Sequence, residues 1–395
     1  MDARDVTPTQ DAPVPLITSD WLPAHVAGIA AQARPEIAVV RAEDVHRLHA
    51  DLDVWDVWPV QLADGHIARF DGASVWMGLS APVMGDPALR HQKARIRLML
   101  ERDGAFADCG DAMPYGFSPG ACEWSGSAIY RPETGRVDLH FTATSRRGEA
   151  FRHEQRLFAT SADLTVRDDA VQIGTWTQPV ETIAQASTWR RPADGSGETP
   201  GFIDAFRDPA VFRDPRDGAE YLLYAATLAE GDGLFNGAVG VAAADGRGGW
   251  RDLGPLLRAK GVNHELERPH IVHADGRYYL FWCTQKKMFA PGGPSGPTGL
   301  YGMVADSVLG PYRPLNGTGL VAANPAAEPD QTYAWWVSGD LLVAGFIDIW
   351  GVNGLPETQV SANPRDHFGG AIAPLFRLVL DGDSAGLANA TFSQQ

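Results

Sequence analysis

The sequence has few cysteines and no long hydrophobic run. Its three cysteines, Cys109, Cys122 and Cys283, form no Cys-x-x-Cys pair and have no histidines at zinc spacing, so a zinc site is not expected. One disulfide would leave one thiol unpaired. Cys109 and Cys122 could form it, but the sequence is equally compatible with two separate thiols at these positions. No stretch reaches the roughly 18 uninterrupted apolar residues of a transmembrane helix, so no membrane span is predicted.

The chain also lacks an excess of positive charge. Lys and Arg number 33 against 49 Asp and Glu, which gives a net charge of −16 at pH 7. Such a chain repels phosphate backbones and anionic lipids, so neither nucleic acid nor a membrane surface is an expected partner. Residues 1–20 carry three prolines but neither a basic nor an apolar segment, so no Sec signal peptide is predicted.

What the sequence does contain is a set of short apolar runs separated by turn residues. Asp-Gly or Thr-Gly pairs at positions 64, 134, 217 and 275 supply the positive φ of tight hairpins, and aromatic and β-branched runs follow three of them. The pairs recur at irregular intervals of roughly 60 to 80 residues, which favours the blades of a β-propeller. Hairpin counting alone leaves a two-sheet β-sandwich as an equal alternative.

The N-terminal segment differs from the rest, because its apolar residues recur at helical spacing. We expect a lead-in over residues 1–48, partly helical, followed by a single catalytic domain over 49–395, since no Pro/Ser linker divides the interior. Pro35 is expected to end the helix, and residues 43–48 to form another turn. The helix signals are the caps Ser19 and Asp20 and the apolar residues Leu22, Val26, Ile29 and Ala30.

Three segments place carboxylates in unusual surroundings. Asp56 lies between two tryptophans and a proline in Val-Trp-Asp-Val-Trp-Pro, where it is either functional or a turn cap. Asp208 follows Arg207, a cation that would keep its carboxylate ionised, although Arg-Asp-Pro is also a common turn. Glu265 and Glu267 would share one face of a strand, so like-charge repulsion would raise the pKa of one toward that of a general acid.

Together these segments fit the chemistry of glycoside cleavage. One carboxylate attacks or stabilises the anomeric carbon, another protonates the leaving oxygen, and aromatic faces stack on sugar rings. A solvated edge strand is the plain alternative for the last segment when it is taken by itself.

The blocks WDVWP, FRDPAVF and ELERPH, in this order, resemble glycoside hydrolase family 68, the levansucrases, inulosucrases and related β-fructofuranosidases. EWSGSA at 123–128, RYYLF at 277–281 and QTY at 331–333 are also similar to family blocks, so that the resemblance spans nearly the whole chain. It implies an all-β fold, a five-bladed β-propeller with catalytic carboxylates in a central funnel. It also implies an extracellular enzyme.

The resemblance carries roles over to individual residues. Asp56 would be the nucleophile, Asp208 the transition-state stabiliser and Glu267 the general acid/base. Ser125 would hold Asp56 by a hydrogen bond. The substrate-binding residues would be Trp55, Trp124 and Ser125 around the fructosyl group, Arg207, Glu265, Arg268 and Tyr333 in the rest of the sucrose-binding set, and Gln285 near the acceptor subsite.

The implied activity is that of a sucrose-cleaving, retaining β-fructosyltransferase that passes fructose to water, sucrose or fructan, with no cofactor. The alternatives are a β-fructofuranosidase that mainly hydrolyses, and, of another class, a non-catalytic sugar-binding propeller, which would be expected to lose one of the three acids. A propeller glycosidase acting on another furanoside, such as an arabinan, would lack the EWSGSA and QTY blocks.

Three positions depart from the family pattern. His264 replaces the Asp that calcium-binding members place there, and imidazole is a poor ligand for a hard cation, so no metal is expected. Gln285 stands where polymer-forming members more often have Arg or His, which favours hydrolysis and short products. Ala225 stands where many relatives have Glu, which puts that side of the subsite network in doubt.

Overall fold

The computed structural model describes residues 15–167, 170–196, 199–230 and 233–388, and within these ranges the chain is built mainly of β-strands. The absence of a Sec leader was predicted largely from residues 1–14, which lie outside the described ranges. No helix within those ranges is long and apolar enough to cross a membrane. All three cysteines are free thiols.

The N-terminal segment is only briefly helical. It contains β1 (Ser19–Asp20), α1 (Pro23–Gly28) and 3-10 turns at Ile29–Ala31 and Ala42–Asp44. Val26 and Ile29 are buried, as the helical spacing predicts.

The prediction that Ser19 and Asp20 cap the helix is wrong. Leu22 occupies the N-cap, and β1 pairs in parallel with the strand at Trp250–Arg258. The Ser19 hydroxyl accepts a hydrogen bond from the Tyr312 amide, and the Asp20 carboxylate pairs with Arg258 at 2.8 Å. Both side chains therefore anchor the segment to the sheets and are not available as caps.

The remaining strands form five blades. Blade 1 consists of β2 (Leu52–Gln61), β3 (Arg69–Phe70), β4 (Ala73–Pro82), β5 (Arg95–Arg102) and β6 (Ala105–Asp111). Blade 2 consists of β7 (Cys122–Arg131), β8 (Arg136–Thr144), β9 (Gln155–Arg167), β10 (Ala170–Ile173) and β11 (Val180–Glu181). Blade 3 consists of β12 (Phe206–Arg213), β13 (Glu220–Thr227), β14 (Gly237–Ala244) and β15 (Trp250–Arg258).

The last two blades follow in the same way. Blade 4 consists of β16 (Glu267–Ala274), β17 (Arg277–Thr284), β18 (Gly299–Ala305), β19 (Arg313–Pro314) and β20 (Leu320–Ala323). Blade 5 consists of β21 (Thr332–Val337), β22 (Leu342–Ile349), the short helices α2 (Glu357–Ala362) and α3 (Pro364–His367), β23 (Phe368–Ile372), β24 (Phe376–Asp381) and β25 (Ser384–Leu387). Further 3-10 turns lie at Pro87–Lys93, Lys286–Met288 and Leu315–Gly317.

The innermost strands β2, β7, β12, β16 and β21 contact one another in a closed ring. Blades 1 and 2 are also joined by a short parallel pairing between β2 and β7. This arrangement is the expected five-bladed β-propeller, and it decides against the sandwich. The hairpin turns at Thr134–Gly135, Asp217–Gly218 and Asp275–Gly276 lie where they were predicted, and Asp275 and Gly276 both have positive φ, 49° and 76°, as a type I′ turn requires.

Ring closure between blades 1 and 5 involves a buried carboxylate. Asp53 on β2 has a fully buried side chain that accepts hydrogen bonds from Arg47 at 2.7 Å and from Arg365 at 2.7 and 3.1 Å. Arg47 comes from the N-terminal segment and Arg365 from α3. One carboxylate thus ties three separate parts of the chain together.

Candidate active site

Each of the five inner strands contains an irregularity at the same place. The ladder between the inner strand and the second strand of its blade shifts register near the start of the inner strand. The shifts lie between Trp55 and Trp58, Trp124 and Gly126, Arg207 and Ala210, Glu267 and His270, and Tyr333 and Trp336. Such β-bulges change the direction of side chains, and here they recur around the funnel.

Four of the bulges hold a non-glycine residue in the left-handed region. The φ angles are 48° for Asp56, 59° for Asp208, 51° for Arg268 and 54° for Ala334. In blade 2 the bulge includes Gly126, where an added Cβ would lie 1.8 Å from a backbone oxygen. Backbone strain of this kind costs of order 1–3 kcal/mol per residue, so the surrounding ring must impose it.

The bulges position nearly all of the predicted residues. Residues at the two bulge positions of the five strands are Trp55, Asp56, Trp124, Ser125, Arg207, Asp208, Glu267, Arg268, Tyr333 and Ala334, and only Ala334 was not predicted. These ten, with Glu265 and Gln285, line one cavity of about 370 Å³. All eleven predicted site residues therefore face the same central funnel.

Asp56 is held by the expected serine. The Ser125 hydroxyl donates to Asp56 Oδ2 at 2.5 Å. Burial raises the pKa of Asp56, and the positive charge of Arg268 offsets this only in part.

The pKa of Asp208 differs from what its neighbour Arg207 predicts. Arg207 Nε lies 3.9 Å from Asp208 Oδ2, and the Arg268 amide donates to the same oxygen at 3.0 Å. Burial nevertheless outweighs the arginine and raises the pKa of Asp208. Arg207 therefore favours the ionised form of Asp208, as predicted, but lowers its pKa by less than burial raises it.

One guanidinium group also joins the two glutamates. Arg207 Nη2 donates to Glu265 at 3.0 Å and to Glu267 at 2.9 Å, and the Tyr333 hydroxyl donates to the other oxygen of Glu267. Strand β16 begins at Glu267, so Glu265 lies just before the strand. The pKa that rises is that of Glu265, chiefly because of burial and secondly because of the Glu267 charge.

Arg268 is almost fully buried and is bonded to main chain. Its Nη2 donates to the Val57 carbonyl at 3.0 Å and its Nη1 to the Ala334 carbonyl. Its guanidinium thereby links the bulge of blade 4 to those of blades 1 and 5. A direct contact of Arg268 with substrate stays a prediction.

Several residues that line the funnel were not predicted from the sequence. Arg90 and His91 lie on the 3-10 turn at Pro87–Lys93, where the Arg90 guanidinium is 5.3 Å from the Trp55 ring and His91 packs against Trp55 and Trp124. Burial lowers the pKa of His91, which keeps its ring neutral. The other missed residues with ionisable side chains are His153, Lys287 and Asp348.

The three departures from the family pattern have structural counterparts. Both ring nitrogens of His264 face backbone carbonyls, those of Leu234 and Ile203, and no group of three or more His, Cys, Asp or Glu suited to a metal occurs in the described ranges. Ala225 is buried opposite Arg207 in the β12–β13 ladder, and Gln155 accepts a hydrogen bond from Arg207 at 3.4 Å. Gln285 lies two residues from Lys287, which supplies a charge nearby.

Comparison with known proteins agrees with this geometry. The family model described as levansucrase/invertase, glycoside hydrolase family 68, matches residues 16–236 and 230–392. A levansucrase from Pseudomonas savastanoi pv. glycinea is 31% identical over 84% of each chain, and one from Zymomonas mobilis is 32% identical over 83% of this chain and 80% of its own.

Solved structures give the same result. An inulosucrase from Halalkalicoccus jeotgali bound to kestose superposes with a TM-score of 0.83 at 36% identity, covering 94% of this chain and 95% of its own. A levansucrase from Gluconacetobacter diazotrophicus has a TM-score of 0.81 at 21% identity, covering 94% and 90%, which supports the fold alone. The chain therefore belongs to the levansucrase/invertase family of enzymes, glycoside hydrolase family 68.

Proposed function

We propose that the protein cleaves sucrose by a retaining mechanism and transfers the fructosyl group to water, sucrose or fructan. The observation that carries this proposal is the convergence of Asp56, Asp208 and Glu267 on one funnel of about 370 Å³, within a chain whose relatives are levansucrases and an inulosucrase. The presence of all three acids argues against a non-catalytic sugar-binding propeller.

In the first step, Glu267 protonates the glycosidic oxygen while Asp56 attacks the anomeric carbon of the fructosyl group. The C–O bond to glucose breaks, glucose leaves with the proton, and a covalent fructosyl–Asp56 ester forms. The hydrogen bond from Ser125 orients the attacking carboxylate. Arg207 and Tyr333 donate hydrogen bonds to the two oxygens of Glu267 and so fix the orientation of its carboxyl group.

In the second step, Glu267 accepts a proton from the incoming hydroxyl, whose oxygen displaces Asp56 from the anomeric carbon. Asp208 binds hydroxyls of the fructosyl ring and stabilises the positive charge of the transition state. Trp55 and Trp124 give the ring apolar walls. Arg207, Arg268 and Glu265 complete the subsite on the glucosyl side, with Gln285 at its edge.

A β-fructofuranosidase that mainly hydrolyses is the second candidate. Gln285 favours it, because a neutral amide binds an acceptor sugar less tightly than the Arg or His of polymer-forming relatives. Incubation with sucrose tests both proposals. Released glucose measures cleavage, the ratio of glucose to free fructose measures transfer, and an absence of glucose would reject the assignment.

We also propose that the enzyme acts outside the cell, in line with the family, and that residues 49–395 form the catalytic unit. Residues 1–48 would serve as a lead-in that β1 fastens to blade 3. Secretion is tested by locating the protein in culture medium or cells.

A further inference from the structure

Asp348 lines the funnel but takes no part in the proposed catalytic steps. It is the penultimate residue of β22, and its backbone amide donates to the Gln331 carbonyl at 2.9 Å. In the β21–β22 ladder, Phe346 lies opposite Tyr333, so Asp348 lies two residues further toward the funnel mouth. Both Phe346 and Asp348 line the cavity.

Two other polar side chains, those of Gln285 and Lys287, line the cavity with Asp348. Gln285 follows β17, the second strand of blade 4, as Asp348 ends the second strand of blade 5. In both blades the inner strand carries the bulge residues near its start, and the second strand returns antiparallel to the same end. Gln285, Lys287 and Asp348 therefore lie on adjacent blades, at the end of the propeller where the inner strands begin, and all three line the cavity.

The Asp348 carboxylate has no hydrogen-bond or ion-pair partner among the residues that the structure describes. Arg90 and Lys287 nevertheless act on it through their charges. The charges of Asp348 and Asp56 both act on Arg90, whose Nε is buried without a hydrogen-bond partner among the described residues. A carboxylate in a cavity wall with no protein donor is suited to hydroxyl donors from a ligand.

We propose that Asp348 is a sugar-binding residue at the funnel mouth, where its carboxylate accepts hydrogen bonds from hydroxyls of the sugar that leaves or receives the fructosyl group. This inference rests on the proposed function, since it names a contact within that site. Adjacent hydroxyls of a pyranose or furanose ring can both reach one carboxylate. The contact would help a sugar acceptor compete with water for the fructosyl–enzyme.

The first experiment replaces the Asp348 side chain and measures how the fructosyl group is divided between transfer and hydrolysis. Asp348→Ala should lower the ratio of transfer to hydrolysis by about fivefold to tenfold, as expected for loss of charge-assisted hydrogen bonds, and should raise KM for sucrose more than it lowers kcat. Asp348→Asn should have an intermediate effect. Asp366→Asn, an exposed aspartate on α3 of the same blade, is the matched control and should behave as wild type.

The pH dependence of partition separates binding from a structural role. Burial raises the pKa of Asp348 to about 6, and the charged groups that act on it are Arg90, Lys287, Asp330 and Asp56. The transfer ratio of the wild type should therefore rise between about pH 5 and pH 7, as the carboxylate ionises. The ratio in Asp348→Asn should vary less over this range, because the amide does not titrate.

Direct binding provides a measurement that does not depend on turnover. In an Asp56→Asn background, which cannot form the ester, adding Asp348→Ala should weaken sucrose binding by about fivefold in calorimetry. An unchanged Kd together with an unchanged transfer ratio would overturn the role of Asp348 alone. If instead the wild type neither releases glucose nor binds sucrose, the proposed function itself fails.

Discussion

Two aspartates on strand β2, three residues apart, lie in opposite electrostatic settings. Asp53 closes the propeller ring, where its one carboxylate receives hydrogen bonds from the two guanidinium groups of Arg47 and Arg365. Asp56 faces the funnel, where the guanidinium of Arg207 lies within 4 Å of three other carboxylates, those of Asp208, Glu265 and Glu267. At the ring closure two guanidinium groups share one carboxylate, whereas in the funnel three carboxylates share the guanidinium of Arg207.

The funnel raises the pKa of several of its carboxyl groups. Burial raises the pKa of Asp56, Asp208 and Glu265, because the funnel removes water without supplying enough positive charge. The guanidinium of Arg268 donates to two backbone carbonyls, and its charge offsets the effect of burial on the pKa of Asp56 only in part. A site of this kind costs stability and keeps carboxylic acids able to exchange protons near neutral pH.

The largest effect is expected from removing Asp56, the proposed nucleophile. Asp56→Asn should lower kcat for glucose release from sucrose by about 10³-fold or more, because a neutral amide cannot form the ester. The fold should persist, since the Ser125 hydroxyl can still donate to the amide oxygen. Glucose release and a thermal melt check this, and near-normal turnover in a folded variant would contradict the role of Asp56.

Removal of Glu267, the proposed general acid, should have the next largest effect. Glu267→Gln should lower kcat by about 10²- to 10⁴-fold and change KM much less, since other groups bind the sugar. A fructoside with a good leaving group needs no protonation, so it should recover much of the first step. If the variant cleaves that substrate no better than sucrose, Glu267 has been given the wrong role.

At the ring closure, the same kind of substitution should affect stability and not chemistry. Asp53→Asn leaves two arginines facing a neutral amide, and we expect a loss of about 3 kcal/mol in the free energy of unfolding, measured by denaturant titration. The cost is at the lower end for a buried ion pair, because the Arg47 and Arg365 side chains are 28% and 22% exposed. Below the melting transition, kcat should remain close to wild type, and a large loss of kcat would show that the two clusters are coupled.

In the funnel, Asp348→Asn should increase the free energy of unfolding at neutral pH, whereas Asp53→Asn should decrease it. A carboxyl whose pKa is raised to about 6 in the fold binds more protons folded than unfolded, so its contribution to stability is lost as pH rises from about 4 through 6. The free energy of unfolding of Asp348→Asn, relative to that of the wild type, should therefore rise by roughly 1–2 kcal/mol between pH 4 and pH 7. Denaturant titrations of both proteins at the two pH values measure this, and a difference that does not change with pH would contradict it.

The sequence predicted the funnel better than it predicted the lead-in. Ordered motifs identified nine of the ten bulge residues, because each inner strand carries its chemistry in one short block. The bulges themselves were not predicted, since a shifted register depends on how five blades close around an axis. Asp348 and Arg90 were missed because they come from a strand end and a connecting turn, with no neighbouring motif.

Ser19 and Asp20 illustrate the opposite error. Their side chains suit a helix N-cap, and local sequence offered nothing against that assignment. Their actual partners, Tyr312 and Arg258, lie more than 230 residues away in the chain. Local capping preference is worth about 1 kcal/mol, so tertiary hydrogen bonds of similar strength can override it.

The smallest expected effect concerns Gln285 and the fate of the fructosyl group. After glucose leaves, water at high concentration competes with a sugar that a few contacts must hold in line. A neutral amide contributes roughly 1 kcal/mol per hydrogen bond, against about 1.5–3 for a charged donor, which corresponds to a shift of about tenfold in partition. Lys287 already places a charge nearby, so the gain from a second cation should fall below that limit.

Gln285→Arg and Gln285→His should therefore raise the ratio of transfer to hydrolysis by less than tenfold, with a smaller effect on glucose release. Lys287→Gln serves as the matched variant: if the lysine supplies the missing charge, this substitution should lower the ratio, and Gln285→Arg should restore it in the double variant. Chromatography of products at equal sucrose conversion decides the matter. Abundant long fructan from the unmodified enzyme, or ratios that do not respond to either residue, would place acceptor control elsewhere in the funnel, with Asp348 as the next residue to test.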